Sequence, residues 1–360
     1  MPHKFILSGG GTGGHIFPAL AIAEALQKQL GPCDIHFVGA EGRMEMEKIP
    51  AAGYPITGLP IRGLQRKMSW SNLGVPFAFI KSLRMAKQLL RDFNPDAVIG
   101  TGGYASAAVL YAATRRNIPT LIWEGNGYAG LTNRWLGKKV NRICTGFAGM
   151  ETYFPAEKIV YTGNPVRRDI LSLPNTQSAR QTFGLNPELP VCLIIGGSLG
   201  ARTLNTAMDA GVHELLKAGI QVIWQTGKNY TPSEQQLPKG LWRDTFIQRM
   251  DQAYAAADLV VSRAGALSVS EIAVTGKASI LVPSPNVTED HQTKNALQLS
   301  KHGAAVLLPD QDAVNTLSGE IMRLMQDIQA REQMQQAVQK LAIPDAADRI
   351  AHEVIQLIRA

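Results

Sequence analysis

Five glycines fill the six positions from Gly9 to Gly14, in the stretch ILSGGGTGGHIFPAL at 6–20, and few local folds can accommodate that much bare backbone. Phe5, Ile6 and Leu7 read as the end of a buried strand and Ala19 to Leu30 as a helix, which puts the glycines at a strand-to-helix turn. The first N–H groups of a helix have no partners and its dipole is positive there, so such a turn binds anions if side chains stay clear. Glycine keeps them clear and tolerates positive φ. The stretch predicts a phosphate or sugar-oxygen site with His15 at its lip.

The spacing Gly9-x-Gly11-x-x-Gly14 also satisfies the dinucleotide-binding fingerprint. That reading needs an acidic residue at the end of the second strand to hold a ribose. After DIHFVG (34–39) the candidates, Glu41 and Glu45, fall late and behind Gly39 and Gly42, so a redox cofactor is not expected. Strand–helix packing explains one or two of the five glycines.

The design recurs. LPVCLIIGGSLGARTLNTAM (189–208) again runs from an apolar strand through a small-residue turn into a helix. Around both starts, strand-like runs such as DAVIG (96–100), TLIW (120–123), RICTG (142–146), IQVIWQTG (220–227) and KASILVPSP (277–285) alternate with helical ones, the rhythm of parallel α/β sheets. We therefore expect an α/β chain of two Rossmann-like, doubly wound domains, 1–163 and 164–342, with the boundary near TGNPVRRDI (162–170). A ligand at the carboxyl ends of both sheets would meet loops from each half. In the last segment, 343–360, Ala347, Ile350, Ala351, Val354 and Ile358 share a helical face, and periodicity leaves open which domain it docks on.

At 360 residues and 45% hydrophobic, the chain has ample core for two domains. The N-terminus shows no secretory signal pattern and no uncharged run reaches the length of a membrane span. Cys33, Cys144 and Cys192 are scattered, as buried thiols of a reducing cytoplasm would be. The net charge of +7 favours anionic partners: phosphates, nucleic acid or an acidic membrane surface. Without a helix-turn-helix, zinc-finger or aromatic RNP pattern, nucleic acid is the least favoured.

In SRAGALSVSE (262–271), Ser268 and Glu271 have capping-box spacing, so a plain helix start is one reading. The other is functional: a strand ending in Arg263, a small-residue turn and a helix N-terminus form an anion site with a guanidinium beside it. One turn on, Glu271 is placed to accept hydrogen bonds from ribose hydroxyls.

These motifs together resemble glycosyltransferase family 28, whose cell-wall members add N-acetylglucosamine to lipid-linked N-acetylmuramoyl-peptide. The matching stretches are GGTGGHIFPALAIAEAL (10–26), GTGGYAS (100–106), GNGYAGLTNRWL (125–136), TGNPVR (162–167), GGSLGAR (196–202), AADLVVSRAGALSVSEIA (256–273) and EDHQTKNA (289–296), in family order across nearly the whole chain. The resemblance implies the GT-B architecture, two Rossmann-like domains facing across a cleft, with the last helix crossing back to an acceptor- and membrane-binding N-terminal domain. The donor, UDP-N-acetylglucosamine (UDP-GlcNAc), would lie mainly on the C-terminal half. Ser198, Arg167, Arg263 and the amides of Ala266, Leu267 and Ser268 would face its diphosphate, Glu271 its ribose and the backbone at Ile247 its uracil. Thr12, Gly13, Gly14, Asn126 and Gln292 would meet the sugar. Gly11, Gly102, Gly103 and Tyr104 would line the acceptor and diphosphate loops.

His15 would be the general base that deprotonates the acceptor C4 hydroxyl, since an imidazole accepts a proton at neutral pH. Transfer would invert the anomeric centre without a metal or other cofactor, UDP-GlcNAc being a substrate. The acceptor would be an undecaprenyl-pyrophosphoryl N-acetylmuramoyl-pentapeptide, which requires peripheral contact with an anionic membrane on its cytoplasmic face. In KMSWSNLGVPFAFIKSLRMAKQLLR (67–91) we expect Trp70, Leu73, Phe77, Phe79 and Lys81 to make that contact, against the plain alternative that the apolar residues are core. Other cell-wall precursor enzymes are the expected partners. One departure is notable: the family reads His-Glu-Gln-Asn where this chain has Trp123, Glu124, Gly125 and Asn126. Glu124 is left with two readings, orienting a loop or assisting His15. Rival functions are another UDP-sugar transferase with a lipid acceptor, a nonhydrolysing UDP-GlcNAc epimerase, and a UDP-sugar-binding protein that leaves its ligand intact.

Overall fold

The computed structural model describes residues 2–61, 75–197, 199–232 and 236–359. They separate into two compact units, Met1–Val166 with Asp345–Ala360, and Arg167–Pro344.

The first unit contains β1 (Lys4–Gly9), α1 (Gly13–Leu30), β2 (Asp34–Ala40), α2 (Glu45–Ala51), β3 (Ile56–Leu59), α3 (Val75–Phe93), β4 (Ala97–Gly102), α4 (Tyr104–Thr114), β5 (Thr120–Glu124), α5 (Leu131–Gly137), β6 (Arg142–Thr145) and β7 (Ile159–Tyr161). Its sheet runs β3-β2-β1-β4-β5-β6-β7 with every pair parallel. β1, β4 and β5 are buried almost end to end, as strands covered by helices on both faces must be. On one face Ile6, Val38, Val98, Ile122 and Ile143 pack with Ala108, Val109 and Ala112 of α4 and Ala86 and Leu90 of α3. Each large aliphatic side chain buried there contributes about 1.5–3 kcal/mol, enough to hold short strands of modest intrinsic preference.

In the second unit come α6 (Thr176–Thr182), β8 (Val191–Ile195), α7 (Arg202–Lys217), β9 (Gln221–Gln225), β10 (Leu241–Asp244), α8 (Met250–Ala256), β11 (Leu259–Ser262), α9 (Ala266–Thr275), β12 (Ala278–Leu281), α10 (His291–Ser300), β13 (Val306–Leu307), α11 (Asp310–Gln326) and α12 (Ile328–Gln339). The strand order is β10-β9-β8-β11-β12-β13, again all parallel. Both sheets thus start at a central strand, wind outward one way and then return to the other side of it. Ligand sites in such sheets form where the winding reverses, at the carboxyl ends of the two central strands. Those ends carry the glycine turns: after β1 and β4 in the first unit, after β8 and β11 in the second.

The last helix, α13 (Ala346–Arg359), belongs to the first unit and packs on α1. Ala346, Ile350, Ala351, Val354 and Ile355 are its buried residues, so Ala346 and Ile355 rather than Ala347 and Ile358 complete the apolar stripe. Lys28 Nζ pairs with Asp348 Oδ2 at 2.9 Å, and Arg142 Nε with Glu353 Oε2 at 3.1 Å. Cys144 and Cys192 are buried, and burial pushes both thiols far up. No helix among the described residues is long and apolar enough to cross a membrane.

Candidate active site

α1 begins at Gly13, six residues before the start read from the sequence, which places His15 in the first helical turn. Pro18 lies inside the helix and is buried. Thr12 is the N-cap, with no capping bond from its hydroxyl. The His15 ring is held from one side: its Nδ1 lies 2.8 Å from the Thr101 carbonyl oxygen. A carbonyl only accepts, so Nδ1 carries the hydrogen and donates it, leaving the Nε2 lone pair free of a proton. Thr101 Oγ1 donates back to the His15 carbonyl at 2.7 Å. Burial lowers the imidazole pKa below its ordinary 6.5, while Glu124, the Thr101 carbonyl and Glu45 pull it upward. The neutral form therefore dominates at neutral pH.

Fewer of the glycines face open space than the sequence reading proposed. A Cβ on Gly9 would fall 1.9 Å from Thr101 Oγ1, and one on Gly10 would fall 2.0 Å from Glu45 Oε1. Only around Gly11 and Gly14 is the space clear beyond 3.5 Å. The GTGGY loop closes on the first turn. Gly10 donates its N–H to the Gly102 carbonyl at 3.3 Å, and Gly103 caps α4 at φ 88° beside the Gly10 backbone, with Tyr104 exposed. At Gly102, φ is +114° and a Cβ would meet the His15 ring at 2.5 Å, so only glycine fits behind the imidazole.

Glu124, buried at the end of β5, makes the bonds that orienting a loop requires, and its charge also acts on His15. Its Oε1 accepts from the Asn126 N–H (3.1 Å) and Nδ2 (3.3 Å), and its Oε2 from the Gly130 N–H (3.0 Å) and Asn133 Nδ2 (2.9 Å). Asn126 is thereby fixed beside the turn.

In the second unit, α9 starts at Ala266, with Gly265 rather than Ser268 at the N-cap and no side-chain capping bond. The capping-box reading is therefore corrected: Ser268 is the third residue of the helix, after Ala266 and Leu267. Glu271 instead turns its buried carboxylate to Arg167, whose Nε is 3.3 Å from Oε1, and to the buried Tyr254 hydroxyl, 3.1 Å from Oε2. Burial raises the Glu271 pKa, with Arg167 and Tyr254 opposing. Arg263 differs from the expectation of a guanidinium facing a diphosphate. It pairs with Asp310 at the start of α11 and donates to the carbonyls of Val282 (3.1 Å) and Pro283 (3.3 Å), so its charge is directed into the fold. The Ile247 N–H donates to Gln225 Oε1 at 3.1 Å, and Gln225 Nε2 donates to the Gly197 carbonyl at 2.9 Å. Gln225, missed from the sequence, joins the second glycine turn to the Ile247 loop; a polar residue closing the apolar run of β9 was the available signal. Gln292 Oε1 accepts from the Ser284 N–H at 2.9 Å. Ser198 lies outside the described residues.

Comparison with known proteins decides the family. Residues 5–145 match the glycosyltransferase family 28 N-terminal domain and 191–350 the glycosyltransferase family 28 C-terminal domain. A protein of Porphyromonas gingivalis named UDP-N-acetylglucosamine--N-acetylmuramyl-(pentapeptide) pyrophosphoryl-undecaprenol N-acetylglucosamine transferase is 49% identical, over 99% of this chain and 96% of its own. The chain belongs to glycosyltransferase family 28. A Cytophaga hutchinsonii protein of the same name is also 49% identical, over 99% of this chain and 97% of that one. The crystal structure of Acinetobacter baumannii MurG superposes with a TM-score of 0.78 at 30% identity, covering 99% of this chain and 100% of that one.

The pairing of Trp123 with Gly125 has a steric basis. Trp123 is buried and its Nε1 donates to the Gly163 carbonyl at 3.4 Å, while the far edge of its indole would lie 2.4 Å from a Cβ on residue 125. With tryptophan at 123, only glycine fits at 125. In α3 the membrane expectation divides. Phe77 is 77% exposed, and Ile80, Lys81, Arg84, Lys87 and Arg91 also face outward. Phe79 is half-buried and packs with Leu83 against the cluster containing Ala86 and Leu90. Trp70 and Leu73 lie outside the described residues.

Proposed function

We propose that this enzyme transfers N-acetylglucosamine from UDP-GlcNAc to the C4 hydroxyl of undecaprenyl-pyrophosphoryl N-acetylmuramoyl-pentapeptide, a step of peptidoglycan synthesis on which cell shape and division depend. The names of relatives 46–49% identical over the whole chain support the reaction. The observation that carries the mechanism is the tautomer of His15, whose Nδ1–H is committed to the Thr101 carbonyl. Nε2 takes the C4 hydroxyl proton as the oxygen attacks the anomeric carbon, the bond from that carbon to the diphosphate oxygen breaks, and UDP leaves with its electron pair. The anomeric centre inverts from α to β.

In this reading Thr12, Gly13, Gly14, Asn126 and Gln292 contact the transferred sugar, while Gly11, Gly102, Gly103 and Tyr104 belong to the acceptor side. Arg167, Ser198 and the first turn of α9 hold the diphosphate, Glu271 the ribose and the Ile247 backbone the uracil. Arg263 joins them only by leaving Asp310. Preorganised amides at a helix N-terminus stabilise the charge that develops on the leaving diphosphate. The exposed cations and apolar groups of α3 supply peripheral contact with the anionic cytoplasmic face of the membrane. An epimerase would turn over UDP-GlcNAc without an acceptor, and a mere binding protein would leave it intact.

The test is transfer of labelled N-acetylglucosamine to a lipid-linked muramoyl-peptide analogue by wild type and His15→Ala, with donor affinity measured for both. Loss of about 10²- to 10⁴-fold in kcat with donor binding retained is expected for a general base. Undiminished transfer by the variant assigns the base elsewhere, and wild-type turnover of donor alone returns the reading to an epimerase.

A further inference from the structure

Glu45 opens α2 and is completely buried, yet none of the roles above uses it. Its Oε2 accepts the Gly11 N–H at 2.9 Å and its Oε1 the Ala40 N–H at 3.0 Å. Gly11 follows β1 and Ala40 ends β2, so one carboxylate bridges the ends of two neighbouring strands. The surrounding backbone is shaped to admit it: a Cβ on Gly10 would fall 2.0 Å from Oε1, and one on Gly39 would fall 2.5 Å from Glu45 Cγ. Gly10, one of the glycines that read as a ligand site, therefore makes room for a protein side chain, as does Gly39 at the end of β2. An amide of the same length could not replace it, because glutamine offers one oxygen to two N–H donors and turns its own NH2 toward the second.

We propose that Glu45 is a positioning residue for His15, holding the backbone of the first glycine turn in the place that presents the imidazole to the acceptor. The inference rests on His15 as the acceptor-activating base. The connection runs through contacts already described: Glu45 fixes Gly11 and abuts Gly10, Gly10 donates to the Gly102 carbonyl, and Gly102 lies so close to the imidazole ring that a Cβ there would meet it at 2.5 Å. A second influence acts through space. Among the described residues the charged groups acting on His15 are Glu124 from β5 and Glu45 from α2, and both favour the imidazolium against burial. Removing the Glu45 charge lowers the pKa of His15 further, so the ring stays neutral to a lower pH.

The experiment uses the full chain with Glu45→Gln, which keeps side-chain volume, and Glu45→Ala, which removes both the bridge and the charge. His15 is titrated by NMR, its ring resonances assigned by their loss in His15→Gln, and transfer kinetics are recorded across pH with thermal melting as the check on folding. In Glu45→Gln we expect His15 to titrate at lower pH, the acid limb of kcat/KM to move the same way, and kcat to fall about 10- to 100-fold with donor KM within about twofold. Glu45→Ala should lose more kcat. An unmoved His15 titration and an unmoved pH profile in Glu45→Gln overturn the proposal. So does a loss of activity that follows the melting temperature alone, since that marks a purely structural carboxylate. If wild type transfers no sugar, the functional reading fails while the NMR titration still decides the role of Glu45.

Discussion

The chemistry of His15 depends on which of its two nitrogens is occupied. Nδ1 is committed to a carbonyl, so Nε2 is the only basic position, and burial keeps the ring neutral where the enzyme would work. The rate should follow that protonation state. We expect kcat/KM to be flat around neutral pH and to fall only below the ordinary imidazole value of 6.5, as Nε2 gains a proton. A pH–rate profile whose acid limb lies above 6.5 contradicts this. The wall behind the ring is as exacting as the hydrogen bond. Gly102→Ala introduces a Cβ 2.5 Å from Cε1 and Nδ1 at a φ of +114°, so the ring or the loop must move. Displacement of a reacting group by about 1 Å costs on the order of 10²-fold in rate, and we expect that loss in kcat, with donor affinity measured by calorimetry unchanged.

Two elements combine roles that a residue pattern alone runs together. α1 supplies the first turn of the site with Gly13, Gly14 and His15, then buries Ile16, Ala19, Ile22, Ala23 and Leu26 as core. α3 keeps Leu83, Ala86 and Leu90 on the sheet side and leaves Phe77, Ile80 and Lys81 outward, so one amphipathic helix both closes the core and offers a basic, apolar face. In the proposed membrane contact, the outward cations make association a matter of charge. Replacing Lys81 or Arg84 by glutamine should weaken sedimentation with vesicles containing anionic lipid by about fivefold each, at roughly 1 kcal/mol per cation near the surface. Vesicles of neutral lipid should show no difference, and equal binding of wild type and variants to anionic vesicles would remove α3 from the contact.

At the scale of the whole molecule, one winding order is used twice, and the chain end returns to the first unit. Deleting 345–360 uncovers the α1 surface on which α13 packs with Ile350, Ala351, Val354 and Ile355 buried. Scanning calorimetry should then show the transition of the first unit shifted down by several degrees while that of the second stays in place; a uniform shift of both would show that α13 does not act on the first unit alone. Much of this architecture was legible in the residues. Apolar runs ending in glycine turns, twice over, specify parallel sheets wound from a central strand, because a buried strand needs an apolar run and a sharp strand-to-helix turn needs glycine. His15 and Glu271 were legible as polar groups at those turns, while the loops around Gly102 and Asn126 were singled out only through the family resemblance. Sequence could not show which partner each polar group takes, since hydrogen bonds and ion pairs are made across the fold at separations that periodicity does not report. Glu45 under the first glycine turn, Glu124 bonded to Asn133 of α5 and Arg263 turned to Asp310 all join residues from different elements. The order of strands and the place of the turns follow from local pattern; which nitrogen of His15 is basic, and which carboxylates surround it, is decided only when β1, β2, β4 and β5 come side by side.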